Sequence, residues 1–98
     1  MDSTQAEQLN QLMKAVVKGD RLAFERLYRI ASPYLFAVAL RTLRNRAWAE
    51  DVLHDCFITV WNNAPTFNHA LSSPMTWMTH IVRNRCIDWL RSKIGRAH

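Results

Sequence analysis

Glycine, cysteine and long apolar runs are scarce in this chain, and each scarcity excludes a class of protein. Two glycines in 98 residues leave no room for a glycine-rich phosphate loop. Two cysteines, Cys56 and Cys86, lack the spacing of structural zinc sites and are too few for a disulfide framework. Because both fall within helical apolar patterns, we expect buried thiols. Without a membrane-length apolar run or a signal peptide, the sequence predicts a protein of the reducing cytoplasm that does not insert into membranes.

Residue clusters typical of catalysis are also missing. His54 and Cys56 are two positions apart, so a helix would point their side chains in different directions. Asp51 and Asp55 lie one turn apart beside Glu50, a pattern typical of a solvated acidic helix face. No serine or cysteine has an evident base. We therefore expect no enzyme activity, no metal site and no cofactor.

Charge is present in alternating blocks rather than evenly. Of the net charge of +5, residues 21–46 carry +5, residues 47–70 carry −3 and residues 71–98 carry +4, while residues 1–20 carry −1. A uniformly basic chain would indicate nucleic acid alone. The basic–acidic–basic order predicts two partners of opposite character.

Apolar residues recur at helical spacing along the chain, and no segment alternates with a period of two. This pattern predicts an all-α, compact bundle of about four to five helices in one domain. Gly19 is expected to end the first helix, and Ser32-Pro33 is interpreted as the start of a new one. The predicted helices cover about residues 4–18, 20–31, 32–44, 47–62 and 73–93.

The last predicted helix has features that suit unpaired nucleic acid. Trp77 and Trp89 offer surfaces for base stacking, and the basic side chains around them can follow phosphates. A narrow polar stripe on this helix consists of Asn84, Asp88 and Arg91. The stripe is as consistent with a solvated helix face as with a surface that recognises bases.

The order of these segments resembles region 2 of bacterial sigma factors, most closely those of the extracytoplasmic-function (ECF) group. AEDVLHDCFITVW is followed by an aromatic-bearing loop and by TWMTHIVRNRCIDWLRSK, and the upstream DRLAFERLY fits the opening helix of the family. The likeness covers about residues 20–93 and implies a sigma region 2 fold for a single domain, residues 1–98. The family normally carries a second domain, region 4, which is absent here, so we expect a fragment rather than an unusually short protein.

The resemblance implies a surface for RNA polymerase. The acidic helix matches the segment that docks on the clamp helices of the polymerase β′ subunit. Its matching positions are Asp51, His54, Asp55 and Phe57. The family usually has Gln-Glu where this chain has His54-Asp55, so individual contacts are expected to differ while the docking is retained.

The resemblance also implies a surface for promoter DNA. The loop and last helix match the segments that melt and read the minus-ten element, where an unpaired base of the non-template strand enters a pocket. Phe67, Trp77 and Asn84 match the aromatic and amide positions of that pocket. Further DNA-binding positions are expected at Arg83, Asp88, Arg91 and Lys93. The loop FNHALSSPMTW lacks the common Arg-Gly after the aromatic, so a different base preference is expected.

Two other functions stay open at this point. One is a helical module that binds only protein, such as an anti-sigma factor, because these partners cover the same surfaces in ECF proteins. The other is a helix-turn-helix reader of duplex DNA. That motif needs a short turn before its recognition helix, whereas the loop here has about nine residues.

Overall fold

The computed structural model describes the backbone of residues 1–97 and the side chains of residues 1–93. The described chain contains four α-helices and one 3-10 turn, and the predicted all-α bundle is confirmed. The helices are α1 (Ser3–Val17), α2 (Arg21–Leu43), α3 (Arg46–Asn63) and α4 (Pro74–Ala97), and the 3-10 turn is Ala64–Thr66. The side chain of Arg96, a basic residue just beyond the last predicted helix, lies outside the described residues.

Each helix begins at a polar residue whose side-chain oxygen accepts a hydrogen bond from a backbone N–H three positions later. These residues are Asp2, Asp20, Asn45 and Ser73, with donor–acceptor distances of 2.8, 3.1, 3.0 and 3.2 Å. Such bonds satisfy N–H groups that lack a partner within the first turn. Asp20, Asn45 and Ser73 are therefore the N-caps of α2, α3 and α4.

The predicted helix start at Ser32-Pro33 is wrong, because α2 continues through it as one helix of 23 residues. Proline lacks the N–H that would bond to the carbonyl four residues earlier, which normally costs a helix about 3 kcal/mol or more. Pro33 lies on the exposed side of α2, away from its buried face. The buried face of α2 repeats every fourth residue across the proline: Ala23, Leu27, Ala31, Leu35, Ala39 and Leu43. Packing along this unbroken face maintains the helix.

The core lies around α2, which packs against the other three helices, while α1 also reaches α4 and the 3-10 turn. The largest fully buried side chains are Leu9, Met13, Leu27, Leu35 and Met78. Cys56 and Cys86 lie in the same core, so the prediction of buried thiols is confirmed.

The turn between α1 and α2 lies at the same end of the bundle as the loop before α4. Gly19 forms this turn with a φ of 91°, in the left-handed region predicted for it. Val17 and Lys18 line one cleft together with Phe67 and His69. The fold therefore brings the end of α1 to the loop that carries Phe67.

Candidate nucleic-acid and polymerase interface

The exposed face of α3 carries the predicted polymerase-binding carboxylates. Asp51 and His54 are exposed and Asp55 is half-buried. Ile58, one turn after His54, is 49% exposed and extends this face with an apolar side chain. Sequence analysis missed Ile58, although its spacing from residues 51, 54 and 55 already placed it on their side of the helix.

Asp55 is already engaged within the molecule. Its carboxylate accepts a hydrogen bond from Arg85 of α4 at 3.0 Å, and both side chains remain partly accessible to solvent. Exposed ion pairs of this kind contribute about 0.2–1 kcal/mol. The pair therefore connects the acidic face of α3 to α4, while Asp51 has no such contact among the described side chains.

Phe57 lies in the core and not beside Asp51 and His54. It is 4% exposed, and its ring centroid lies 4.6 Å from that of Tyr28 and 6.2 Å from that of Phe24. Phe24 in turn packs against Trp61 at 5.1 Å. Phe57 thus supports α3 from behind, and Tyr28, which is 43% exposed, is the ring of this cluster nearest to solvent.

The loop before α4 holds Phe67 between two other rings. Phe67 is 8% exposed, with Trp77 at 5.1 Å and His69 edge-on at 4.6 Å between centroids. Trp77 is half-buried and follows the cap of α4 at Ser73. The structure brings together Phe67 and Trp77, two of the three residues predicted for the base pocket.

The polar residues of α4 face solvent. Arg83, Asn84, Asp88 and Arg91 are exposed. Among the described side chains, none of these four makes a hydrogen bond or an ion pair. Asn84 lies two turns after Trp77, on nearly the same side of the helix. The stripe is therefore open to a ligand, and its exposure is equally compatible with hydration alone.

Lys93 is not open in the same way. Its ammonium lies 5.1 Å from the ring centroid of Trp89 and 5.5 Å from that of Trp48, and the two indoles lie 6.4 Å apart. Cation–π contacts of this kind hold a lysine in place by about 0.5–1 kcal/mol at exposed sites. This cluster joins the start of α3 to α4, and Trp48 packs within it.

Comparison with known proteins decides the family. The family model described as Sigma-70 region 2 matches residues 27–94, more than half of the chain. The chain belongs to the sigma-70 region 2 family. Its curated relatives include ECF RNA polymerase sigma factors named SigK, and the predicted likeness to the ECF group is confirmed.

The SigK relatives are distant in sequence and longer than this region 2 chain. The protein of Mycobacterium ulcerans (strain Agy99) is 24% identical over 88 residues, covering 90% of this chain and 47% of the relative. The protein of Mycobacterium sp. (strain KMS) is 28% identical over 85 residues, covering 87% and 44%. That of Mycobacterium bovis (strain BCG / Pasteur 1173P2) is 26% identical over 83 residues, covering 85% and 44%. The chain thus spans less than half the length of these relatives.

The match to the region 2 family leaves α1 outside the aligned residues, although α1 lines a cleft at the predicted pocket. This cleft of about 280 Å³ is bounded by Lys14, Val17 and Lys18 of α1 and by Phe67 and His69 of the loop. Sequence analysis assigned α1 no function. The sequence feature that could have indicated a role for α1 is the pair Lys14 and Lys18, which lie one turn apart at the end of a helix with an apolar face.

Burial favours the neutral form of both thiols of this region 2 domain. Burial raises the pKa of Cys56 from 9.0 to about 12, with smaller contributions in the same direction from Cys86 and Asp55 and an opposing one from Arg85. Burial also raises the pKa of Cys86. The Cys56 thiol lies 3.9 Å from the carbonyl oxygen of Ile81, so the neutral thiol bridges α3 and α4.

Two absences hold for the part of the chain that the structure describes. Across it, no three or more His, Cys, Asp or Glu side chains come together as a possible metal site. None of its helices combines the length and the apolar character that a membrane crossing requires.

Proposed function

We propose that this sigma region 2 domain acts in transcription initiation through two neighbouring surfaces. The exposed face of α3 docks on the clamp helices of the RNA polymerase β′ subunit. The loop and α4 bind the unpaired non-template strand of the promoter minus-ten element and stabilise its melted state. The observation that carries the proposal is the placement of an acidic face and a basic, aromatic face on adjacent helices of a sigma-70 region 2 fold.

Docking is supported by the character of the α3 face. Asp51 and His54 are exposed beside Ile58, so a partner would meet polar groups around an apolar centre. A basic partner surface would pair with Asp51 directly. Asp55 is held by Arg85, so it would contact the polymerase as part of an ion pair rather than as a lone carboxylate.

DNA reading is supported by the groups around the loop. An enzyme or factor that reads one strand must expose the base edge, which requires that the base leave the stack. Trp77 offers a half-buried ring on which such a base could stack, a contact worth about 1–3 kcal/mol. Asn84 can both donate and accept, so it can distinguish base edges. Phe67 lies behind Trp77 and fixes its position.

Two arginines of α4, Arg83 and Arg91, would contact the DNA phosphates. Arg83 and Arg91 are exposed and have no partner among the described side chains, whereas Arg85 pairs with Asp55. We expect Arg83→Ala and Arg91→Ala to weaken binding of all DNA sequences alike and to flatten the salt dependence. Arg85→Ala is the matched control, with a smaller effect on the salt slope. A change in sequence preference at a constant slope would instead make Arg83 or Arg91 a base contact.

A titration with three ligands tests the proposal. The 98-residue chain is mixed with a single-stranded non-template minus-ten oligonucleotide, with the corresponding duplex, and with a β′ clamp-helix fragment, at one salt concentration. We expect binding to the fragment and tighter binding to the single strand than to the duplex. Binding to the fragment alone would indicate a module that binds only protein. Preference for the duplex would indicate a duplex reader.

A further inference from the structure

The cleft between the end of α1 and the loop has no role in the functions described so far. It is lined by the apolar side chains of Val17 and Phe67 and by Lys14 and Lys18, which lie one turn apart on α1. Its volume of about 280 Å³ is near the lower end of small-ligand sites. Apolar side chains beside two lysines suit a nucleotide, whose sugar is less polar than its phosphate.

The two lysines are not required to complete the end of α1. The last carbonyls of that helix already accept backbone hydrogen bonds: Ala15 from Lys18 and Asp20, and Val16 from Gly19. Neither lysine forms an ion pair within the described residues. The following carboxylate, Asp20, accepts from Ala23 and so faces the start of α2. Both ammonium groups therefore remain available to a ligand.

Electrostatics at the end of α1 favours an anion on balance. A helix carries about half a negative charge at its carboxyl end, which by itself repels phosphate. Lys14 and Lys18 bring two full positive charges to the same place, and the backbone bonds to Ala15 and Val16 reduce the exposed carbonyl dipoles. The lysines therefore outweigh the helix end.

The position of the cleft fits a strand that already passes Trp77. Phe67 separates the two places: its ring packs against Trp77 on the α4 side and lines the cleft on the α1 side. A strand with one base at Trp77 would bring an adjacent sugar-phosphate toward α1. The family model begins at residue 27, so it does not include these α1 residues.

We propose that Lys14 and Lys18 hold a backbone phosphate of unpaired DNA in the cleft formed by α1, Phe67 and His69. The inference rests on the proposed binding of the non-template strand and adds α1 to its contact surface. Recognition here is of the phosphate and not of the base, so it is independent of sequence.

The test compares two double variants of equal charge change in the full 98-residue chain. Lys14→Gln with Lys18→Gln removes the cleft cations, and Arg26→Gln with Arg41→Gln removes two exposed cations elsewhere on α2. Glutamine keeps the helix propensity of the residues it replaces. Circular dichroism melting confirms that each variant is folded. The ligand is a fluorescent oligothymidylate, titrated between about 50 and 200 mM salt.

The salt slope is the slope of the logarithm of the binding constant against the logarithm of the salt concentration. We expect its magnitude to fall by about 0.7 for each phosphate contact that the lysine variant loses, and by less in the arginine variant. Amide NMR shifts on adding oligothymidylate should include residues 14–18 and 67–69. Equal losses in the two variants, or unchanged binding by the lysine variant, would overturn the inference. So would equal displacement of the oligothymidylate by polyglutamate, which would assign the cleft to acidic peptides.

The same measurements separate this inference from the proposed function. If the chain binds oligothymidylate through the lysines but shows no preference for a minus-ten sequence and no affinity for the β′ fragment, the inference stands and the proposed function fails. If minus-ten reading is intact and the lysine variant binds like wild type, only the inference fails. If the wild-type chain binds no single strand at all, both fail.

Discussion

Asn84 is the exposed side chain of α4 that offers both a donor and an acceptor two turns from Trp77. We predict that Asn84→Ala leaves the fold and polymerase binding unchanged and lowers discrimination at one minus-ten position by about 1–3 kcal/mol. Competition binding with oligonucleotides substituted at each position measures this. Asn62→Ala, at another exposed helical asparagine, is the control. Wild-type preference at every position in Asn84→Ala would remove Asn84 from base reading.

The raised pKa of Cys56 makes the free energy of unfolding depend on pH in the alkaline range. Its pKa is about 12 in the folded chain and near 9.0 when exposed, so above pH 9.0 the unfolded chain releases a proton that the folded chain keeps. The stabilisation by the neutral thiol is thus complete below pH 9.0 and is lost as the pH rises to about 12. We expect Cys56→Ala to unfold with a weaker dependence on pH in this window, measured by urea titration. An identical pH dependence would show that Cys56 does not ionise on unfolding there.

The ion pair between Asp55 and Arg85 links two elements with different proposed partners. We predict that Asp51→Ala combined with Asp55→Ala weakens binding to the β′ clamp helices and keeps the fold. Of the single changes, only Asp55→Ala should lower the free energy of unfolding, by less than about 1 kcal/mol, because only Asp55 has a partner on α4. Chemical unfolding and a binding titration of each variant measure the two effects.

A double-mutant cycle with Arg85→Ala isolates the link. Once Arg85 is absent, Asp55→Ala should have no further effect on unfolding. Unchanged clamp-helix affinity in the Asp51 and Asp55 double variant, with its circular dichroism intact, would contradict a docking role for the α3 face.

Helix boundaries were predictable where one residue decides them. Gly19 has no Cβ to oppose a positive φ, and the side chains of Asp20 and Ser73 can accept from nearby N–H groups, so local chemistry is sufficient. Pro33 was misread because a proline is locally unfavourable within a helix. Its retention in α2 depends on the packing of residues four apart along the whole buried face, which no local rule contains.

The sequence predicted which polar residues of the candidate site are exposed, but it did not predict which residues of different helices are in contact. The solvent exposure of Asn84 and Arg83 follows from helical periodicity. The burial of Phe57, the Lys93 contact with two indoles and the α1 side of the Phe67 cleft depend on which helices meet. These contacts join residues far apart in sequence, so spacing along the chain does not determine them.

At the scale of the whole molecule, α1 contributes to the same buried core as the other helices even though it lies outside the family match. Its buried residues are Leu9, Met13 and Val16. We predict that Met13→Ala lowers the free energy of unfolding by about 2–5 kcal/mol, with coincident transitions by far-UV circular dichroism and tryptophan fluorescence. Gln8→Ala, on the exposed side of α1, should have little effect. A small loss in Met13→Ala, or an early fluorescence-silent transition, would mean that α1 unfolds independently.

The distribution of the indoles has an optical consequence. Trp48 and Trp89 lie together with Lys93, Trp61 lies against Phe24, and Trp77 lies against Phe67. A chain with phenylalanine at positions 48, 61 and 89 would retain tryptophan emission only from Trp77, in the first turn of α4. Stacking of a base on Trp77 would quench that emission, while docking on α3 would leave it unchanged. One cuvette experiment could therefore time strand capture separately from polymerase association.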